Sequence, residues 1–138
     1  MNIKYRQHPT ADQVTQMPTA VVVKGNPAFI NNNPLANKFY DHVAKMLRGN
    51  KYSVTFDKGE PYTIPPKADL WIGHSRGADR LRFAPKGTKT IDLNKFEHPA
   101  AKNWLSRQVE GSQEAPPPHH YIFTNEQKNA IMNIIRKK

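Results

Sequence analysis

The sequence predicts an α/β fold, a small, mainly parallel sheet of about four strands flanked by helices, and three observations predict it. Ala20-Val21-Val22-Val23 is a continuously apolar, β-branched run, as in a strand buried on both faces. Between Asn33 and Phe56 a helical spacing of apolar residues gives way to strict alternation, which completes a strand–helix–strand unit. A third apolar run, Ala68-Asp69-Leu70-Trp71-Ile72, ends in Gly73-His74-Ser75-Arg76-Gly77.

Residues 1–18 mix charge and proline without periodicity and read as a flexible N-terminal arm, leaving 19–138 as a single α/β domain. The first strand ends at Lys24-Gly25-Asn26-Pro27, a turn signal. Asn33 then caps a helix with Pro34 in its first turn, and Leu35, Phe39, Val43, Met46 and Leu47 line one face before Gly49. Tyr52, Val54 and Phe56 alternate with Ser53 and Thr55 in the second strand. Gly59, Pro61, Pro65 and Pro66 forbid a crossover helix before the third strand, Asp69 to Ile72.

After the glycine-flanked serine, Ala78 to Ala84 allows about two helical turns before Pro85 and Gly87 stop them. Thr88 to Leu93 reads as the fourth strand, and a short helix is expected to begin near Pro99, with His98 at its start. Glu110 to Pro118 is a polar, proline-rich linker. Thr124 and Gln127 form a capping-box pattern for a docked C-terminal helix carrying Ala130, Ile131, Ile134 and Ile135 on one face.

The chain has 21 Lys and Arg against 11 Asp and Glu, a formal charge of +10. That balance attracts nucleic acid, anionic lipid or acidic protein and leaves the chemistry unspecified. The absence of cysteine excludes disulfides, thiolate catalysis and Cys-based zinc sites, and suits a cytoplasmic protein. No apolar run reaches the roughly 20 residues of a membrane helix, and the first 17 residues lack the hydrophobic centre of a secretory signal. No membrane partner is expected. His74, His98 and His119 lack the close spacing of zinc ligands, so neither a metal nor a cofactor is expected.

Gly-His-Ser-Arg-Gly directly after a strand is the pattern of a nucleophile elbow, in which small flanking residues permit a sharp bend that presents the serine oxygen. Three segments in chain order resemble the small lidless members of the α/β-hydrolase family. These are Val21 to Asn26, Ile72 to Ala78, and His119-His120-Tyr121-Ile122-Phe123-Thr124 before the last helix. The resemblance implies Ser75 as nucleophile, Asp92 as acid and His119 or His120 as base. The oxyanion would lie among Gly25, Asn26, Arg76 and Gly77, on the amides of Asn26 and Arg76, and the substrate would be an ester or other acyl compound.

The stretch Gly73 to Leu81 also resembles the glycine-rich turn of Rossmann-like nucleotide-binding proteins of the lysine-decarboxylase-like superfamily. That likeness implies a phosphate held by turn amides and the helix dipole, a role in which Ser75 need not be nucleophilic; the neighbouring Arg76, Arg80 and Arg82 favour a phosphate because guanidinium pairs well with its oxygens. A third reading is a basic nucleic-acid-binding module drawing on Lys4, Arg6, Lys24, Lys45, Arg48, Lys51 and the C-terminal Arg136-Lys137-Lys138. Each candidate also has a purely structural reading. Ser75 suits a close-packed turn, Asp92 a cap, His119 and His120 a solvated pair, and Asp69 and Asp79 partners for nearby arginines.

Overall fold

The computed structural model describes residues 17–25, 32–57, 63–112 and 114–136. Most of the expected N-terminal arm, with Lys4 and Arg6, lies outside them, as do Asn26, Lys137 and Lys138.

Four strands form one wholly parallel sheet in the order β2-β1-β3-β4: β1 Thr19–Val23, β2 Ser53–Phe56, β3 Leu70–Gly73 and β4 Lys89–Asp92. Helix α1, Pro34–Gly49, joins β1 to β2. Its cap is the expected one, since Asn33 Oδ1 accepts from the amides of Leu35 and Ala36 at 3.0 and 3.3 Å. The apolar stripe of α1 packs on Ala20, Val22, Leu70, Ile72 and Ile91, all on one face of the sheet.

Helix α3, Asn125–Arg136, covers the same face through Ile131. Its capping box closes in both directions. Gln127 N–H donates to Thr124 Oγ1 at 3.0 Å, and Thr124 N–H donates to Gln127 Oε1 at 2.9 Å. The other face of the sheet buries Val21, Val23 and Trp71 beneath Ala68, Leu81 and Ala84. There the proline-rich connection is pinned by Trp71, whose indole N–H donates to the Pro66 carbonyl at 3.0 Å.

The segment after β3 differs from the two helical turns expected from Ala78. It is a 3-10 helix from Ser75 to Phe83. In a 3-10 helix residues i and i+3 eclipse, which sets its two buried residues, Gly77 and Arg80, together against the end of β1. A second short 3-10 turn, Leu93–Phe96, follows β4. Helix α2, Pro99–Val109, begins where expected, with His98 Nδ1 accepting from Ala100 N–H at 3.0 Å. A last 3-10 turn spans Pro118–Tyr121.

Candidate functional site at the carboxyl ends of the strands

Register aligns Val23, Gly73 and Asp92, so the chain leaves β1, β3 and β4 at one level. The chain runs from β1 to β2 on one side and reaches β3 on the other, which puts a topological switch point between β1 and β3. In parallel α/β sheets ligands bind in the crevice at such a point. Here it is bounded by Gly25 and Ser75.

Ser75 sits in the left-handed region, with φ of 58°. Such a conformation costs a non-glycine residue about 1–2 kcal/mol and marks a corner held by its surroundings. The three nearby glycines are there for close approach. A Cβ at Gly77 would lie 2.4 Å from the carbonyl oxygens of Val23 and Lys24, and one at Gly73 would lie 2.9 Å from Ala78 Cα. One at Gly25 would meet Ser75 Cβ at 2.6 Å and Ser75 Oγ at 2.7 Å. The serine hydroxyl is thus packed over the first loop, which only a glycine allows.

Asn94 holds the corner. Its Oδ1 accepts from Ser75 N–H at 2.9 Å, and its Nδ2 donates to the Ser75 carbonyl at 2.8 Å. Gly77 N–H is also engaged, donating to the His74 carbonyl at 3.0 Å. Among the described residues this leaves the Arg76 amide as the turn's unengaged donor, 3.3 Å from the position of a Gly25 Cβ.

The arginines do not converge on the turn. Arg76 Nε pairs with Asp79 at 3.0 Å in solvent. Arg80 is buried and bound to Asp57 Oδ2 at 2.6 Å and to the Lys24 carbonyl at 2.8 Å. Arg82 lies over the Phe83 ring, 4.9 Å from its centre.

Of the residues expected as acid and base, Asp92 is a cap, accepting from Asn94 N–H at 2.9 Å. Burial raises its carboxyl above the ordinary value. The carboxylate that meets a histidine is Glu97. His120 Nδ1–H donates to Glu97 Oε2 at 2.8 Å, and both side chains are fully buried. His120 Nε2 and Glu97 Oε1 have no hydrogen-bond partner among the described residues. His119 instead stacks on His98, ring centres 4.3 Å apart.

The His120 ring stacks on His74 at 4.1 Å, one residue before the serine. A backbone carbonyl only accepts, so His74 carries its proton on Nε2 and donates to the His120 carbonyl at 3.0 Å. His74 Nδ1 therefore accepts from the Tyr40 hydroxyl at 2.7 Å. Burial, reinforced by neighbouring His120, lowers the His74 pKa well below the ordinary 6.5 and keeps the ring neutral. Burial likewise raises Tyr40 well above 10, so it stays a donor.

Glu97, Asn94 and Tyr40 were not candidates from sequence. Tyr40 had a signal, because a phenol on the buried face of α1 requires a polar partner. Glu97 and Asn94 had none, being set by the short 3-10 turn.

His74, Glu97 and His120 each offer a ligand atom, all within 4.8 Å of one another, so the fold assembles possible metal donors that chain spacing did not reveal. Coordination would take from His74 a hydrogen bond at either ring nitrogen. The three side chains form a carboxylate–imidazole pair, whose His120 Nε2 has no hydrogen-bond partner among the described residues, stacked beside a neutral imidazole.

No family model, curated protein or solved structure matches this chain. No helix among the described residues is long and apolar enough to cross a membrane.

Proposed function

We propose that the chain is an acyl hydrolase whose nucleophile is Ser75, with His120 as base, Glu97 orienting it and the Arg76 amide as oxyanion donor. The observation that carries this reading is the left-handed Ser75 in its glycine-packed corner at the sheet's switch point. Supporting it, Glu97 fixes the proton of His120 on Nδ1, leaving the Nε2 lone pair to accept a proton. The chain order serine, carboxylate, histidine is retained with Glu97 in place of Asp92.

In this mechanism Ser75 Oγ attacks the acyl carbon and its proton passes to His120 Nε2. The carbonyl oxygen becomes an oxyanion facing the Arg76 N–H. The C–O bond to the leaving alcohol then breaks, and His120 returns the proton to that oxygen. Water then attacks the acyl-serine carbon as the same imidazole takes its proton, the bond from that carbon to Ser75 Oγ breaks, and His120 returns the proton to Oγ as the acid is released. Among the described residues the hydrogen bonds of Ser75 run through its backbone to Asn94, and its hydroxyl makes none to an imidazole. Such contacts are commonly long in unliganded sites and tighten with substrate. A cysteine-free chain suits a cytoplasmic setting for this activity.

A phosphate cradle of successive amides has less support, because the amides of Ser75 and Gly77 are already bonded within the protein. Hydrolysis of short p-nitrophenyl esters tests the choice. The proposal expects Ser75→Ala to abolish turnover and Glu97→Gln to lower kcat/KM by about 10²–10⁴-fold, the usual range for losing an effective base. Turnover unchanged in Ser75→Ala overturns it.

A further inference from the structure

Away from the corner, α1 and the segment Tyr121 to Phe123 enclose an open groove of about 680 Å³. That volume lies within the range of about 300–1,000 Å³ that small-molecule sites occupy. On the α1 side, Leu35, Phe39, His42 and Met46 recur every three or four residues and form one stripe. Leu35 and Ile122 are each 49% exposed, so apolar surface faces solvent. Lys38, Lys45 and Lys128 also line the groove, and among the described residues no acidic side chain does.

We propose that this groove binds a medium-chain fatty acid, its tail on the Phe39, Met46 and Phe123 side and its carboxylate at the lysines. A lining that combines apolar side chains with charge of one sign, Lys128 Nζ lying 5.4 Å from the centre of the Phe123 ring, matches a ligand that pairs one tail with one opposite charge. Lysines offer donors and no acceptors, which suits a carboxylate and leaves the N–H groups of an extended peptide unanswered. The chain's own first 16 residues are a poor occupant, since Lys4 and Arg6 share the sign of the rim. The inference is independent of the reading of Ser75 and its test leaves that residue intact.

The test is calorimetric titration of the full chain with monomeric decanoate. Saturable binding of one decanoate per chain is expected. Decyltrimethylammonium, with an equal tail and opposite charge, should bind at least tenfold more weakly. The surface variant Lys38→Glu/Lys45→Glu should weaken decanoate at least tenfold with its unfolding midpoint unchanged, and the uncharged change Ile122→Ser should weaken it without altering the charge preference. Equal binding of the two amphiphiles, indifference to both variants, or binding only to anionic vesicles or to an acidic peptide would overturn the proposal.

Discussion

Asn94 grips Ser75 from both sides, accepting from its amide at 2.9 Å and donating to its carbonyl at 2.8 Å. Those two bonds hold a residue with φ of 58°, which links the end of β4 to the corner after β3. Asn94→Ala should therefore destabilise the fold by about 2–3 kcal/mol, two partly buried hydrogen bonds at about 1–1.5 kcal/mol each, and should lower the proposed esterase activity. Urea unfolding and kcat/KM measured on the same preparations check both parts.

Strain at Ser75 has its own signature. Glycine relieves a left-handed φ and alanine does not. Ser75→Gly should be more stable than Ser75→Ala by about 1 kcal/mol, with both variants inactive. Equal unfolding midpoints in urea would show that the corner is unstrained.

The glycine contacts give a steeper effect. At Gly77 a Cβ would lie 2.4 Å from two backbone oxygens, atoms that cannot swing aside. Gly77→Ala should cost about 3 kcal/mol, the upper end for overpacking. At Gly49 a Cβ meets nothing within 4 Å, so Gly49→Ala should be neutral or stabilising, and thermal melts of the two variants check both outcomes.

Burial of neutral His74 makes stability depend on pH. The unfolded chain takes up a proton near the ordinary imidazole pKa of 6.5, while the folded chain resists it because its pKa is lowered by burial and by His120. Stability should fall as pH drops below about 6.5, with a slope of up to about 1.4 kcal/mol per pH unit from this residue. His74→Asn, which keeps an acceptor for Tyr40, should flatten that slope. Denaturant unfolding at pH 7, 6 and 5 reads the difference.

Much of the fold was legible because its signals are local. The β-branched run of β1, the Asn33 cap and stripe of α1, and the Thr124–Gln127 box each follow from neighbours in sequence. The 3-10 helix after β3 was not legible, since it depends on Gly77 and Arg80 meeting the end of β1, more than fifty residues earlier. At the site, the corner was visible as glycines around a serine, and His120 was among the candidates. Chain order points to Asp92 as its partner, but a turn of four residues, Leu93–Phe96, leaves Asp92 as its cap and carries the chain on to Glu97. The three arginines looked like a phosphate cluster, yet Arg80 is spent on Asp57 and Lys24.

The main chain and side chain at position 76 separate the two chemistries. In the proposed hydrolase the oxyanion uses the Arg76 amide, so Arg76→Ala should keep ester turnover within about threefold, well under the tenfold that 1.4 kcal/mol represents. A phosphate site would need the guanidinium, and the same variant would then lose saturable nucleotide binding, read by calorimetry.

The proposed role of Ser75 as nucleophile is decided by intact-mass and peptide mass spectrometry after exposure to a fluorophosphonate. One adduct per chain is expected, located on the peptide containing Ser75, and none in Ser75→Ala. Labelling at another residue, or the same adduct yield in Ser75→Ala, would contradict it.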